Sequence, residues 1–294
     1  MKETKPLPGT VRHWAEQRVG PVASVRDASH GWDRSRVWEL AGPGGARWYV
    51  KVSPSAKFFT RETRAYRHVV PALGHSRAPQ LIDSRAEDLA MLLTVAPGAP
   101  APGLNLSSAS WRSVHEQAGV LCARLHEAGE LDSGDQAEAD EALRAAADGL
   151  EKHLGRAGDR LTGDEQQLVR DYAARLRRVG PVPVGYVHGD NAPRNWLWSG
   201  SAVALVDFER TRLAARVQDL TILAATEWLD HPDREQSFLR GYGRVLTGAE
   251  RHALRCLAAL DAASCVAWGP DNGDLEVTAR GRRTLDRLMR EDRP

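Results

Sequence analysis

The chain has 294 residues, 42% of them hydrophobic and 27% charged, with 40 Lys and Arg against 39 Asp and Glu; it is long enough to close its own core. A formal net charge of +1 offers no basic excess of the kind that nucleic-acid or membrane-surface binding draws on, so neither partner is expected. Cys122, Cys256 and Cys265 are odd in number and lack C-x-x-C spacing, which argues against a disulfide framework or a zinc knuckle and for reduced core residues.

In chain order, Val37–Leu40 and Arg47–Val52 are two short alternating runs around the Gly-rich stretch 41–45, the pattern of a β-hairpin. The spacing then predicts a helix over Thr60–Val70, with Ala65, Tyr66 and Val69 on one side and Pro71 at its end. Leu81–Ile82 and Leu89–Leu93 read as two further strands. The Pro/Gly stretch Pro97–Gly103 marks a boundary, after which helical character runs from Ser107 to about Val179, is interrupted by a β island over Val182–Val206, and resumes at Arg216. The expected class is α+β, divided into residues 1–96 and 97–294: a small β-rich N-terminal lobe with one long helix, and a larger, mostly helical C-terminal lobe. No apolar run of signal-peptide length follows Met1 and nowhere do 18 apolar residues follow one another, so a cytoplasmic protein, monomeric or weakly dimeric, is expected.

The β island carries His188-Gly189-Asp190-Asn191-Ala192-Pro193-Arg194-Asn195, followed by Val206-Asp207-Phe208-Glu209. Trp196–Trp198 and Val203–Val206 flank Ser199-Gly200-Ser201 as a tight hairpin whose open end brings Asn195 and Asp207 side by side. An amide oxygen and a carboxylate from adjacent strands make a hard-oxygen site suited to Mg²⁺. Asp190, on the loop before, is placed to orient a nucleophilic hydroxyl or accept its proton. Taken singly these residues would read as turn formers and caps; the spaced set H-G-D-x-x-x-x-N plus D-F-E matches, with Gly in place of Arg, the kinase catalytic loop and metal-binding segment.

On these motifs the chain resembles the aminoglycoside phosphotransferase and choline kinase group of small-molecule kinases, which share a bilobal protein-kinase-like fold. The resemblance implies that Asp190 is the catalytic aspartate, that Asn195 and Asp207 bind Mg²⁺, and that His188 braces the loop. It also requires a phosphate-gripping lysine on an upstream strand and a carboxylate on the next helix, which Lys51 and Glu62 supply. A lysine in an apolar strand needs such a pairing to be buried at all. The nucleotide loop would be the stretch from Ser29 to Ser35, with both serines candidate phosphate contacts. The hinge would lie near 93–98, with backbone groups of Leu93 and Val95 holding the purine of ATP or GTP. Leu125-His126 and Gln218-Asp219-Leu220 also recur in the family, and Asp219 would tie down the catalytic-loop backbone.

The acceptor of such an enzyme lies in the C-terminal lobe, where a polycation should meet carboxylates. Candidates are Glu209, Glu227, Asp230, Asp233 and Glu235, then Asp271, Asp274 and Glu276 near Trp268. The expected function is an O-phosphotransferase moving the γ-phosphoryl group to a basic antibiotic, an aminoglycoside or a capreomycin- or viomycin-type peptide. The alternatives are a metabolite kinase for choline, homoserine or a sugar, with Trp228 and Trp268 as candidates for a cation cage, or a non-catalytic nucleotide-binding regulator.

Overall fold

The computed structural model describes residues 6–29, 35–131 and 133–292. In chain order its elements are α1 (Gly9–Val19), β1 (Ser24–Asp27), β2 (Arg36–Ala41), β3 (Arg47–Val52), α2 (Ala56–His68), β4 (Leu81–Arg85), β5 (Ala90–Thr94), β6 (Ala99–Pro100), α3 (Ser108–His126), α4 (Ser133–Asp148), α5 (Leu150–Ala157), α6 (Gly163–Leu176), β7 (Val184–Val187), β8 (Trp196–Trp198), β9 (Val203–Leu205), β10 (Arg212–Ala215), α7 (Thr221–Ala225), α8 (Glu227–Asp230), α9 (Pro232–Tyr242), α10 (Gly248–Trp268) and α11 (Leu275–Glu291). They group into two compact units, one formed by residues up to Asn105 together with Pro193–Arg212, the other by Leu106–Ala192 together with Leu213 onward.

The first unit is built on an antiparallel sheet in the order β1-β2-β3-β5-β4. The expected hairpin is there, with Val37 opposite Lys51 and Trp38 opposite Val50. Lys51 sits on the central strand β3, opposite Met91 on its other side, so it is not an edge lysine turned to solvent. The helix expected from Thr60 begins a turn earlier, because Ser55 caps it by accepting from the Phe58 amide. A second helix, α1, was not anticipated. It packs Val11, Trp14 and Ala15 against Trp38, Leu40, Val50 and Leu92 of the sheet, and both the Trp14 indole and Arg18 bond the Asp83 carboxylate. Its apolar residues are too few to stand out in sequence; the sheet face they cover explains them. The hairpin β8–β9 joins this unit by pairing β8 with β6, and Arg77 reaches the Val203 carbonyl.

The second unit packs α5, α6, α10 and α11 around a core that includes Leu154, Val169, Tyr172, Leu260 and Leu285. The long helical stretch expected from Ser107 breaks into four helices, with Gly129 and Gly158 in the left-handed region at two of the breaks. Capping boxes at Thr162/Glu165 and Thr247/Glu250 start α6 and α10, each contributing about 1 kcal/mol. All three cysteines are free and buried. Among the described residues no helix is long and apolar enough to cross a membrane.

Candidate active site

In the first unit the lysine of β3 is at the centre of a charged cluster. Lys51, only 6% exposed, places its ammonium 3.0 Å from Glu62, 2.5 Å from Asp207 and 3.1 Å from Glu209. Glu62, fully buried on α2, faces β3 because it shares a helix face with Tyr66, four residues on. Tyr66 meets Phe208 edge to face at 5.4 Å, so the D-F-E segment is anchored by its aromatic residue while the two acids flanking it turn toward Lys51.

Burial disfavours the Lys51 charge, yet the three carboxylates outweigh it and hold its pKa well above the usual value. Burial likewise pushes the Glu62 carboxyl upward, against the pull of Lys51. Asp207 adopts φ +69°, in the left-handed region that non-glycine residues seldom occupy. One residue before it, the Val206 amide donates to the Asn195 carbonyl at 3.1 Å, which fixes the open end of the hairpin as the sequence suggested. The oxygens of Glu62, Asp207 and Glu209 lie within 4.8 Å of one another, so the donor set suits a hard divalent cation, and Asn195, 7% exposed, stands at the head of the hairpin.

Of the nucleotide-loop candidates, residues 30–34 lie outside the described residues. Ser29 donates to Asp27 at 2.6 Å and accepts from the Val37 amide, so its hydroxyl closes the end of the β1–β2 ladder. Ser35 donates to Glu209 at 2.7 Å. At the hinge, Leu93 has Tyr49 on one side and Leu81 on the other, whereas Val95 lies just past the end of β5.

In the second unit Asp190, 9% exposed, follows Gly189, whose φ of +80° turns the loop. The loop is held by Asp219, which accepts the His188 and Gly189 amides at 2.7 Å each and meets His126 Nε2 at 3.0 Å. Burial would raise the Asp219 pKa, but His126, the charge of His188 and the Gly189 amide bring it below the ordinary carboxyl value. Cys122, His126 and Asp219 are close enough to hold an ion. Their distances are instead those of a hydrogen-bonded brace, both Asp219 oxygens being engaged by N–H donors.

The acids expected to meet the acceptor are dispersed and mostly ion-paired. Glu227 pairs with Arg234, Asp233 with Arg112, Glu235 with Arg251, and Asp271 with both Arg156 and Arg160. Asp274 caps α11 through the Val277 amide, and Asp230 is exposed at the end of α8. Trp228 is buried, with its ring 5.4 Å from that of Phe238, while Trp268 is 36% exposed. Sequence reasoning missed Arg280, a mostly buried side chain that pairs with Asp261 and reaches Cys265 Sγ at 2.9 Å. Burial lowers its pKa, but Asp261, Cys265 and the charge of Asp190 raise it further. Nothing distinguishes it in sequence from the other arginines of α11.

The sequence matches the phosphotransferase enzyme family over residues 24–257. No curated protein matches it. Among solved structures, a thermostable mutant of aminoglycoside phosphotransferase APH(4)-Ia in its apo form superposes with a TM-score of 0.71 at 16% identity, covering 95% of this chain and 98% of that one. The gentamicin–APH(2")-IIa complex gives 0.66 at 16% identity over 96% and 97% of the two chains. Macrolide 2'-phosphotransferase MphH from Brachybacterium faecium gives 0.57 at 16% identity over 94% and 97%. At these identities the likeness is one of fold, the kinase-like fold expected from the motifs. The family match, which spans most of the chain, goes further: the protein belongs to the phosphotransferase enzyme family.

Proposed function

We propose that the protein is a nucleoside-triphosphate-dependent O-phosphotransferase that moves the γ-phosphoryl group to a hydroxyl of a small molecule, with an antibiotic as acceptor. The observation that carries the reading is the buried Lys51, 3.0 Å from Glu62 and 2.5 Å from Asp207, an ammonium held on a central strand by acids of a helix and a D-F-E segment. In this reading Lys51, steadied by Glu62, grips the phosphates of ATP or GTP, and Asn195 with Asp207 would hold Mg²⁺. A bound Mg²⁺ supplies charge neutralisation at the phosphate oxygens. Asp190 orients the acceptor hydroxyl and takes its proton late in the transfer, so catalysis is positioning and electrostatics rather than covalent chemistry.

The antibiotic acceptor draws support from fold neighbours named as aminoglycoside and macrolide phosphotransferases, including a ternary complex of APH(4)-Ia with ADP and hygromycin B. A second reading, a metabolite kinase, is favoured by one observation: Glu227, Asp233, Glu235 and Asp271, half of the acids that a polycation would seek, are already matched by arginines of the chain. The test is nucleoside diphosphate release with ATP and Mg²⁺ against aminoglycosides, capreomycin, viomycin, a macrolide, choline and homoserine, with Asp190→Ala as control. Stimulation by an antibiotic, lost in the control, is the expected result. Stimulation by choline or homoserine alone would move the assignment to the metabolite kinase, and nucleotide binding without stimulated release would leave a regulator.

A further inference from the structure

The brace behind the catalytic loop has a third layer that the motifs do not mention. His126 Nδ1 lies 2.7 Å from the Tyr242 hydroxyl, and the two rings meet edge to face at 5.5 Å. The line of contacts runs from Tyr242 on α9 to His126 at the end of α3, to Asp219, and to the amides of His188 and Gly189 beside Asp190. Cys122 adds a side contact, 3.4 Å from His126 Nε2, and receives the Asn191 side-chain amide at 3.7 Å.

The donor and acceptor roles follow from the Asp219 end. A carboxylate that accepts two amides must also meet a donor at His126, so Nε2 carries a proton and Nδ1 is the ring nitrogen left to pair with Tyr242. In a core where His126 is 1% exposed, Nδ1 needs a hydrogen-bond partner, and the Tyr242 hydroxyl at 2.7 Å is nearer than Cys122 Sγ at 4.0 Å. Burial pushes the Tyr242 pKa up, which keeps its proton in place. The approach that makes this contact is itself built in. A Cβ on Gly119 of α3 would strike the Phe238 carbonyl, and one on Gly241 of α9 would strike the Glu116 carbonyl, so each helix offers a glycine where the other's backbone crosses.

We propose that Tyr242 is a positioning residue for phosphotransfer: its hydroxyl fixes the orientation of the His126 ring, and through Asp219 it holds the catalytic-loop backbone that presents Asp190. The proposal rests on the reading of Asp190 given above. Tyr242→Phe removes one oxygen and keeps the ring. The expected result is a fall in kcat of about tenfold with the KM for nucleotide unchanged. It should be accompanied by faster amide exchange in the peptide over 184–192 and a shifted His126 Nδ1 resonance in ¹⁵N-histidine spectra, assigned with His126→Gln.

Phe238→Leu serves as the packing control, because Phe238 stacks on Tyr242 with ring centroids 6.1 Å apart while the hydroxyl contact is left intact. It should lower Tm with kcat within about twofold of the wild type. Wild-type kcat and wild-type exchange in Tyr242→Phe would overturn the proposal, as would an equal loss of kcat in Phe238→Leu at matched Tm. The exchange and ¹⁵N readouts do not need Asp190 to be catalytic. If Asp190→Ala keeps full turnover, the functional reading fails, and these two signals still decide whether Tyr242 holds the loop.

Discussion

Two buried clusters organise the molecule, and they are balanced in opposite ways. Around Lys51 one ammonium faces three carboxylates, a surplus of acids, with Lys51 and Glu62 buried and Asp207 and Glu209 at its partly exposed edge. Around Asp219 every short contact joins a donor to an acceptor, and the carboxylate's charge is spread over two backbone amides and an imidazole. The first arrangement has the chemistry of a place that takes up a cation or exchanges a carboxylate for a phosphate. The second is self-contained and can only hold backbone. Burial and ionisable groups are common to both; what separates them is that the first keeps partly exposed carboxylates at its edge, whereas the carboxylate of the second is enclosed.

The largest expected effect is on turnover. Asp190→Ala should lower kcat by about two to four orders of magnitude while nucleotide affinity, measured by equilibrium titration, stays unchanged. A variant with near-normal kcat would remove Asp190 from the mechanism. Lys51→Met tests the surplus directly. It leaves Glu62, Asp207 and Glu209 facing one another, and should cost about 3–5 kcal/mol in stability at low divalent concentration. Added Mg²⁺ should then raise the Tm of this variant more than that of the wild type; an equal rise in both would mean that the acids do not form a cation site.

Asp219→Asn probes the closed cluster, with an expected loss of about 2–3 kcal/mol at neutral pH that Mg²⁺ leaves untouched. The folded Asp219 pKa lies below its ordinary value, so its contribution is complete above the unfolded pKa and disappears as pH falls through the folded one. Denaturation curves of wild type and variant should therefore converge below about pH 4. A constant gap down to acid pH would assign the loss to packing. The smallest effect is expected of Glu209→Gln, which thins the surplus but keeps an oxygen for Ser35. Stability should change by less than about 1 kcal/mol, with a smaller Mg²⁺-dependent rise in Tm.

The charged cluster was the more legible of the two. A lysine inside an apolar strand has few reasons to exist, and the one carboxylate on the following helix could be matched to it by period alone. The β8–β9 hairpin was equally plain, because a Ser-Gly-Ser turn sets the register that brings Asn195 to Val206. The rest depends on distant pairings. The bond from Ser35 to Glu209 spans much of the chain, and so do the pairings of Arg112 with Asp233 and of Arg156 with Asp271. An acidic run looks the same in sequence whether or not its partners come from another helix. Tyr242 gave no signal either, since an aromatic residue near the end of an amphipathic helix reads as core. Helix α1 was missed for a related reason: what makes it fold is the sheet face waiting for it.

The hairpin of residues 193–212 has a consequence for how the protein is made. It belongs to the first unit, yet it is translated only after the whole of α3 to α6. As the chain leaves the ribosome, β3 and α2 can pair Lys51 with Glu62, but Asp207 and Glu209 arrive only on the order of ten seconds later. During that interval the nascent first unit holds an incomplete charge cluster and lacks β8, the strand that pairs with β6. Its folding therefore cannot finish in order of synthesis, and a chain truncated before residue 193 is expected to dwell on chaperones rather than settle as an independent domain.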